Sequence, residues 1–312
     1  APYTLPFHNS FKDGTVEEKF VGLERTSGKT SWALTNDVSS DDDNGSLIFL
    51  PTKPGVSTIV MGKTTLRGAS NPRLIFDYRG DGEAKEKVEM RFQKKNGEVT
   101  EPVWTNAGVA NDGKWKNYIV NIPAELANEE YVLLRVVGIA DEISEDAVYV
   151  DNINIADPYQ KDAGVELTAP ESLKKGQTAK FSVKVTNLGL DKLEKAKVAL
   201  TVNDKVVKEE TLGKSLSFMQ NSVLSVDYKT TSMDASDKLS VKATVNLDGD
   251  LEPDNNEATA DVSLETPDVK APQNLRGEKS GSATAVKLAW DAPATTITSV
   301  TDDFESYKAW GT

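Results

Sequence analysis

Nearly every apolar segment of this chain alternates with polar residues at a period of two, as a strand with one buried face does. Val88, Met90 and Phe92 alternate with charged and polar residues, and similar strand patterns occur at 73–79 and 131–137. Turns rich in Gly and Asn separate these segments, and helical periodicity is nearly absent. The sequence therefore predicts an all-β protein built from β-sandwiches.

Two breaks divide the chain into three predicted parts. The first break falls at Ala-Asp-Pro, residues 156–158, and the second is an extended stretch that contains two prolines. Residues 1–158 have room for a jelly roll, a sandwich of roughly eight strands. Residues 159–266 contain short strands at the spacing of an Ig-like sandwich. Residues 267–312 are too short for a third complete domain, so we expect an incomplete C-terminal segment.

The final residues of the chain resemble the opening of a domain. Residues 302–305, Asp-Asp-Phe-Glu, echo residues 10–13, Ser-Phe-Lys-Asp. A chain that restarts its first module is most simply a piece of a modular array. We therefore expect a second jelly roll to begin here, and we expect the remaining modules of the full-length protein to be among the partners.

Composition excludes several function classes. The chain has 36 basic and 49 acidic residues and a net charge of -13, which disfavours binding to nucleic acid and to anionic membranes. No stretch approaches the ~18 apolar residues of a membrane span, so direct membrane insertion is not expected. The absence of cysteine and the single histidine, His8, exclude thiol nucleophiles, disulfides and multi-histidine zinc sites. No carboxylate pair is marked as catalytic, so we expect no enzyme activity.

Four segments of the first part carry a family resemblance, residues 5–11, 43–47, 115–118 and, most specifically, 148–155, Val-Tyr-Val-Asp-Asn-Ile-Asn-Ile. Through them the first part resembles the jelly-roll modules of the cleaved-adhesin and choice-of-anchor J type, which share the galactose-binding-like architecture. Such modules occur in large exported proteins of Bacteroidetes. The resemblance implies an adhesive or carbohydrate-associated role, and several members carry structural calcium.

Two further resemblances cover the rest of the chain. Residues 160–265 are similar to a CARDB-type domain, an Ig-like module related to cell adhesion, through Thr-Asn-Leu-Gly at 186–189 and Asp-Asn-Asn-Glu at 254–257. The segments 271–275, Ala-Pro-Gln-Asn-Leu, and 288–293, Leu-Ala-Trp-Asp-Ala-Pro, resemble the first two strands of a fibronectin type III domain.

The jelly-roll resemblance predicts a calcium site. Asp151 lies on the terminal strand, whose counterpart in the family commonly supplies a ligand, and residues 37–44 contain four aspartates. Calcium prefers carboxylate and carbonyl oxygens. The predicted ligands are Asp151, Asp13, Asp41, Asp43 and Asn44. One departure opposes the site, because Lys12 stands where the family has Glu; the alternative is a solvated acidic loop, with Asp151 capping a strand turn.

Sugar binding requires exposed aromatic faces with polar edges. Trp32 and Trp104 border polar loops and are expected to be exposed, and Tyr78 and Arg79 complete the predicted ligand-binding set. The alternative is that most aromatic side chains of the chain are buried. Two other tryptophans, Trp115 and Trp290, are expected in the cores, Trp290 through the fibronectin resemblance.

The leading hypothesis is a non-catalytic adhesion or carbohydrate-binding segment of a large secreted or cell-surface bacterial protein. Its partners would be a glycan or a host or extracellular protein surface. One alternative is an accessory region of an exported protease or glycosidase. Another is a purely structural surface stalk, which predicts that all five tryptophans are buried.

Overall fold

A computed structural model describes residues 1–15, 19–231, 236–266, 272–279, 281 and 286–291. Within these residues the chain is almost entirely β, with short 3-10 helices at Lys12–Gly14, Ala124–Asn128 and Pro253–Asn255. The all-β prediction, a jelly-roll sandwich followed by an Ig-like sandwich, is confirmed.

Residues 7–156 form the two sheets of the first sandwich. Its strands are β1 (Phe7–Asn9), β2 (Phe20–Arg25), β3 (Trp32–Thr35), β4 (Ser46–Phe49), β5 (Gly55–Thr64), β6 (Arg73–Gly80), β7 (Lys87–Lys94), β8 (Trp104–Thr105), β9 (Lys116–Asn121), β10 (Val132–Ala140) and β11 (Val148–Ala156). One sheet has the order β3-β4-β11-β6-β9, with β1 also paired to β11, and the other has the order β2-β5-β10-β7-β8. Val88, Met90 and Phe92 of β7 are fully buried between the sheets, as their alternation predicts.

Strand β11 is buried on both faces, and the most exposed residue in it, Tyr149, is only 9% exposed. Val148 and Val150 point into the core, whereas Asp151 and Asn154 lie on the outer face of the sheet. The pairing with β6 shifts register between Asp151 and Asn154, and Asn152 has a left-handed conformation (φ 53°). This β-bulge places several polar side chains together on the outer face.

Residues 163–265 form the second sandwich. Its strands are β12 (Ala163–Thr168), β13 (Ser172–Lys174), β14 (Thr178–Asn187), β15 (Lys197–Val202), β16 (Lys205–Thr211), β17 (Asn221–Lys229), β18 (Lys238–Asn246) and β19 (Glu257–Glu265). One sheet has the order β12-β14-β17 and the other β13-β19-β18-β15-β16. All pairings are antiparallel except that of β13 with β19. Alternating residues of β14 and β18, such as Val183 and Val241, fill the core.

The Thr-Asn-Leu-Gly segment forms a buried turn at the end of β14. The Asn187 side chain is 1% exposed, and its Nδ2 donates to the carbonyl oxygens of Leu216 (2.8 Å) and Asp191 (2.9 Å). Its Oδ1 accepts from the amide of Gly189 at 3.0 Å. A Cβ at Gly189 would lie 2.7 Å from the amide nitrogen of Asp162, so only glycine fits. The motif therefore joins three loops through buried hydrogen bonds and close backbone packing.

The two sandwiches are in direct contact. Phe218 of the second sandwich is 4% exposed and forms an apolar cluster with Ile75 and Ala156, on the outer face of the β6–β11 sheet. Leu190 and Met219 pack against this cluster. The second sandwich therefore covers one end of that face.

Two further strands, β20 (Gln273–Lys279) and β21 (Val286–Asp291), form an antiparallel hairpin. Trp290 is 57% exposed, so the expectation that it lies in a core is wrong for the residues that the structure describes. The reason is that this hairpin has no opposing sheet among those residues. The predicted restart at 302–312 lies outside the described residues.

Candidate functional site

The outer face of the β6–β11 sheet brings three of the predicted calcium ligands together. Asp41 and Asp43 come from the loop between β3 and β4, and Asp151 comes from β11. One carboxylate oxygen from each lies within 4.8 Å of the other two. We refer to these three residues as the acidic cluster. The loop that carries Asp41 and Asp43 is called the acidic loop (residues 37–45).

The acidic loop is fastened to the sheet through Ser40. Its amide donates to Asp151 Oδ2 at 2.7 Å, and its hydroxyl donates to Asp77 Oδ2 at 2.7 Å. Ser39 Oγ lies 3.1 Å from Asp41 Oδ1 and 3.1 Å from Asp43 Oδ1. A Cβ at Gly45 would lie 1.7 Å from the carbonyl oxygen of Phe11, so the loop can pass the backbone that follows β1 only with glycine there. These contacts hold the acidic loop against the sheet and the Phe11 backbone.

Burial disfavours ionisation of three carboxyl groups, those of Asp41, Asp77 and Asp151, in the absence of a cation. It raises the pKa of Asp151 to about 8, with a smaller contribution from the charge of Asp41. Burial also raises the pKa of Asp41 to about 7, and the neighbouring charge of Asp43 adds to this effect. The pKa of Asp77 is raised by burial as well. A bound cation would favour the ionised form of all three groups.

Two oxygen atoms near the acidic cluster have no hydrogen-bond partner within the described part of the chain. One is Asp43 Oδ2, and the other is Oδ1 of Asn152, a side chain that is 3% exposed. The backbone amide of Asn152 donates to Asp151 Oδ1 at 2.7 Å. The side-chain Nδ2 of Asn152 lies 3.4 Å from Asp77 Oδ2, so this side chain lies beside the buried carboxylates. Unpaired buried polar atoms are costly and require an explanation. An all-oxygen donor set with this geometry fits a hard cation such as calcium.

The structure does not bring every predicted ligand into the cluster. Asp13 is exposed, and its amide donates to the carbonyl of Asp43 at 3.0 Å, so its backbone rather than its carboxylate supports the loop. Asn44 is exposed and has a left-handed conformation (φ 60°). Lys12 is exposed as well.

Sequence reasoning missed Asp77. It is 4% exposed, it accepts from Asn117 Nδ2 at 2.8 Å, and it is held by Ser40. A single acidic residue in the apolar run Leu-Ile-Phe-Asp-Tyr at 74–78 was the available signal, because a charged side chain is rarely buried without a role.

The predicted ligand-binding aromatic residues lie mostly in the core. The expectation that Trp32 is exposed is wrong, since it is 3% exposed and its Nε1 donates to the carbonyl of Ser57 at 3.1 Å. Trp104 packs edge-on against Phe76 at 4.8 Å between ring centroids and is only partly exposed. Tyr78 is fully buried, its hydroxyl accepts from Asn106, and burial raises its pKa to about 12. Each of these side chains could have pointed to the solvent or to the core, and the fold directs them mostly to the core.

Arg79 is the exception, because it belongs to a partly exposed aromatic surface. Its guanidinium lies 5.5 Å from the ring centroid of Tyr149, its neighbour across the β6–β11 pairing. The ring of Trp115 meets that of Tyr149 edge-on at 6.2 Å. Arg79 also donates to both oxygens of Asp81, at 2.6 and 3.1 Å. Trp115 is partly exposed, so the expectation that it lies in the core is wrong. We refer to Arg79, Trp115 and Tyr149 as the aromatic surface.

Comparison with known proteins bears most directly on the family resemblance of the second sandwich. A sequence model of the CARDB family matches residues 161–260, which confirms the CARDB resemblance. No curated protein matches the chain. A CARDB domain from Pyrococcus furiosus, solved in complex with di-metal ions, is 28% identical over 35% of this chain and 92% of its own length, with a TM-score of 0.31.

Structural neighbours of the chain also include adhesin and carbohydrate-binding modules. A cleaved adhesin domain of Lys-gingipain from Porphyromonas gingivalis is 12% identical and covers 48% of this chain and 96% of its own, with a TM-score of 0.38. A xylan-binding domain from Paenibacillus barcinonensis is 14% identical and covers 48% and 92%, with a TM-score of 0.34. In the part of the chain that the structure describes, no helix is long and apolar enough to cross a membrane.

Proposed function

We propose that the chain is a non-catalytic binding segment of a large secreted or cell-surface bacterial protein. The first sandwich binds carbohydrate, and the second sandwich is the spacer that presents the first. The aromatic surface carries this proposal, because the partly exposed side chains of Trp115 and Arg79 flank the largely buried ring of Tyr149. The CARDB match supports an adhesion-related setting for the second sandwich.

The chemistry of the aromatic surface suits a sugar ring. Aromatic faces pack against the C–H face of a pyranose, while neighbouring charged groups satisfy its hydroxyls. Asp81 fixes the Arg79 guanidinium through two hydrogen bonds, so this polar group is pre-organised. The net charge of -13 favours a neutral or cationic target over an anionic one.

Calcium is the cation that we propose for the acidic cluster. Asp41, Asp43 and Asp151 would hold it, with the backbone amide of Asn152 bonded to Asp151 and the Asn152 side chain beside Asp77. The ion would supply positive charge to a buried group of carboxylates and link the acidic loop to β11. Its role is structural, because the aromatic surface does not include the cluster.

A glycan array probed with the full chain tests the carbohydrate proposal. We expect binding to at least one neutral glycan class, and we expect Trp115→Ala to abolish it. Val206→Ala is the matched control, because Val206 is 62% exposed on the second sandwich and should not affect binding. No binding on the array or to immobilised mucin would contradict the proposal.

A further inference from the structure

A polar cleft separates the acidic loop from the second sandwich. Its volume is about 520 Å³, and residues 40–43 with His8 and Lys12 form one wall. Residues 214–216 and 219–221 of the second sandwich form the other wall. The residues that carry two members of the acidic cluster therefore also border the junction between the sandwiches.

The opposite wall is anchored on the first sandwich. Phe218, between the two wall segments, packs on Ile75 and Ala156. Met219 has a left-handed conformation (φ 64°), rare for a residue with a side chain, and its amide donates to the carbonyl of Asn187 at 2.7 Å. This loop is therefore held both by its own sandwich and by the outer face of the other one.

The junction also reaches the buried carboxylates. Phe218 of the second sandwich contacts Ile75, and Ile75 and Asp77 lie two residues apart on β6, on the same face of the sheet. Asp77 is bonded to Ser40, whose amide is bonded to Asp151. A contiguous set of contacts therefore runs from the second sandwich through the buried carboxylates to the acidic loop.

We propose that cation binding at the acidic cluster fixes the orientation of the two sandwiches. This inference depends on the proposed calcium site. A cation bound by Asp41, Asp43 and Asp151 links the acidic loop to β11, so the wall at residues 40–43 becomes rigid. A rigid wall beside the anchored Phe218–Met219 loop leaves fewer positions for the second sandwich. Calcium thereby limits the range of orientations that the first sandwich, with its aromatic surface, adopts relative to the second.

The absence of cysteine allows a direct test by paired spin labels. Cysteines introduced at Glu101 and Lys208, one exposed position on each sandwich, report the distance between the two bodies. We expect calcium chloride to narrow the distance distribution of the full chain relative to chelator. Asp151→Asn should abolish the narrowing. Asp13→Asn should retain it, because Asp13 lies outside the cluster.

Calorimetry on the same samples separates two failures. Calcium binding with an unchanged distance distribution would overturn the proposed coupling and leave the calcium site intact. Absence of calcium binding would overturn both. Narrowing that persists in Asp151→Asn would also contradict the coupling, because the acidic cluster would then not be its source.

Discussion

Asp151 lies directly opposite Asp77 in the antiparallel pairing of β11 with β6. The two residues are 0% and 4% exposed, and like charges directly opposite each other destabilise a sheet. Ser40 donates one hydrogen bond to each carboxylate. The fold therefore places two buried carboxyl groups side by side, where bound protons or a cation must neutralise their negative charge.

In chelator, the stability of the protein should fall as pH rises from about 4 to about 8. The folded-state pKa values of Asp151 (about 8) and Asp41 (about 7) are raised, so the folded state keeps protons that the unfolded state releases. Asp151 lowers the free energy of unfolding by up to about 1.4 kcal/mol per pH unit in this window, and Asp41 contributes less because it is partly exposed and solvent screens its charge. Urea denaturation measures the profile, and Asp151→Asn should make it shallower. A variant profile as steep as that of the wild type would contradict this assignment.

Gly45→Ala should destabilise the first sandwich by about 3 kcal/mol, because its Cβ would collide with the Phe11 carbonyl. Gly28→Ala is the matched control, since a Cβ there meets nothing within 4 Å. Thermal melting of the two variants gives the comparison. Equal melting temperatures would mean that the acidic loop does not pass against the Phe11 backbone as described.

Asn187→Ala should cost about 2–3 kcal/mol, because it leaves the Asp191 carbonyl and the Gly189 amide without their partner and removes one of the two donors to the Leu216 carbonyl. Asn221→Ala, at an exposed position, should have little effect. Chemical denaturation measures both. If the two variants are equally stable, Asn187 does not join these loops.

Acrylamide should quench the fluorescence of exposed tryptophans and leave the fluorescence of buried tryptophans largely unchanged. Trp32→Phe should remove emission that acrylamide cannot reach, because Trp32 is 3% exposed. Trp115→Phe should remove quenchable emission, because Trp115 is partly exposed. The reverse pattern would place the aromatic surface in the core and remove the basis for carbohydrate binding.

The fold was predictable because alternation records which face of a strand is buried. Val88, Met90 and Phe92 are buried as their spacing requires. Three of the predicted calcium ligands also meet, because Asp41 and Asp43 share a loop and Asp151 has a recognisable strand context. Local sequence therefore contained the loop and strand components of the cluster.

Exposure of the aromatic residues was not predictable, because it depends on which elements lie across the strand. Trp32 begins β3, yet its ring turns into the core against Phe49, at 5.1 Å between ring centroids. Asp77 escaped notice because its partners, Ser40 and Asn117, come from distant segments. The contact of Phe218 with Ile75 likewise depends on the junction, which no local pattern records.

The most direct test of the account is the effect of calcium on the thermal unfolding of the full chain, because a cation that binds only the folded state must raise the melting temperature. We expect millimolar calcium to raise it in the wild type and in Asp13→Asn, and to have no effect in Asp151→Asn. An unchanged melting temperature in the wild type, or an equal rise in Asp151→Asn, would contradict the calcium site.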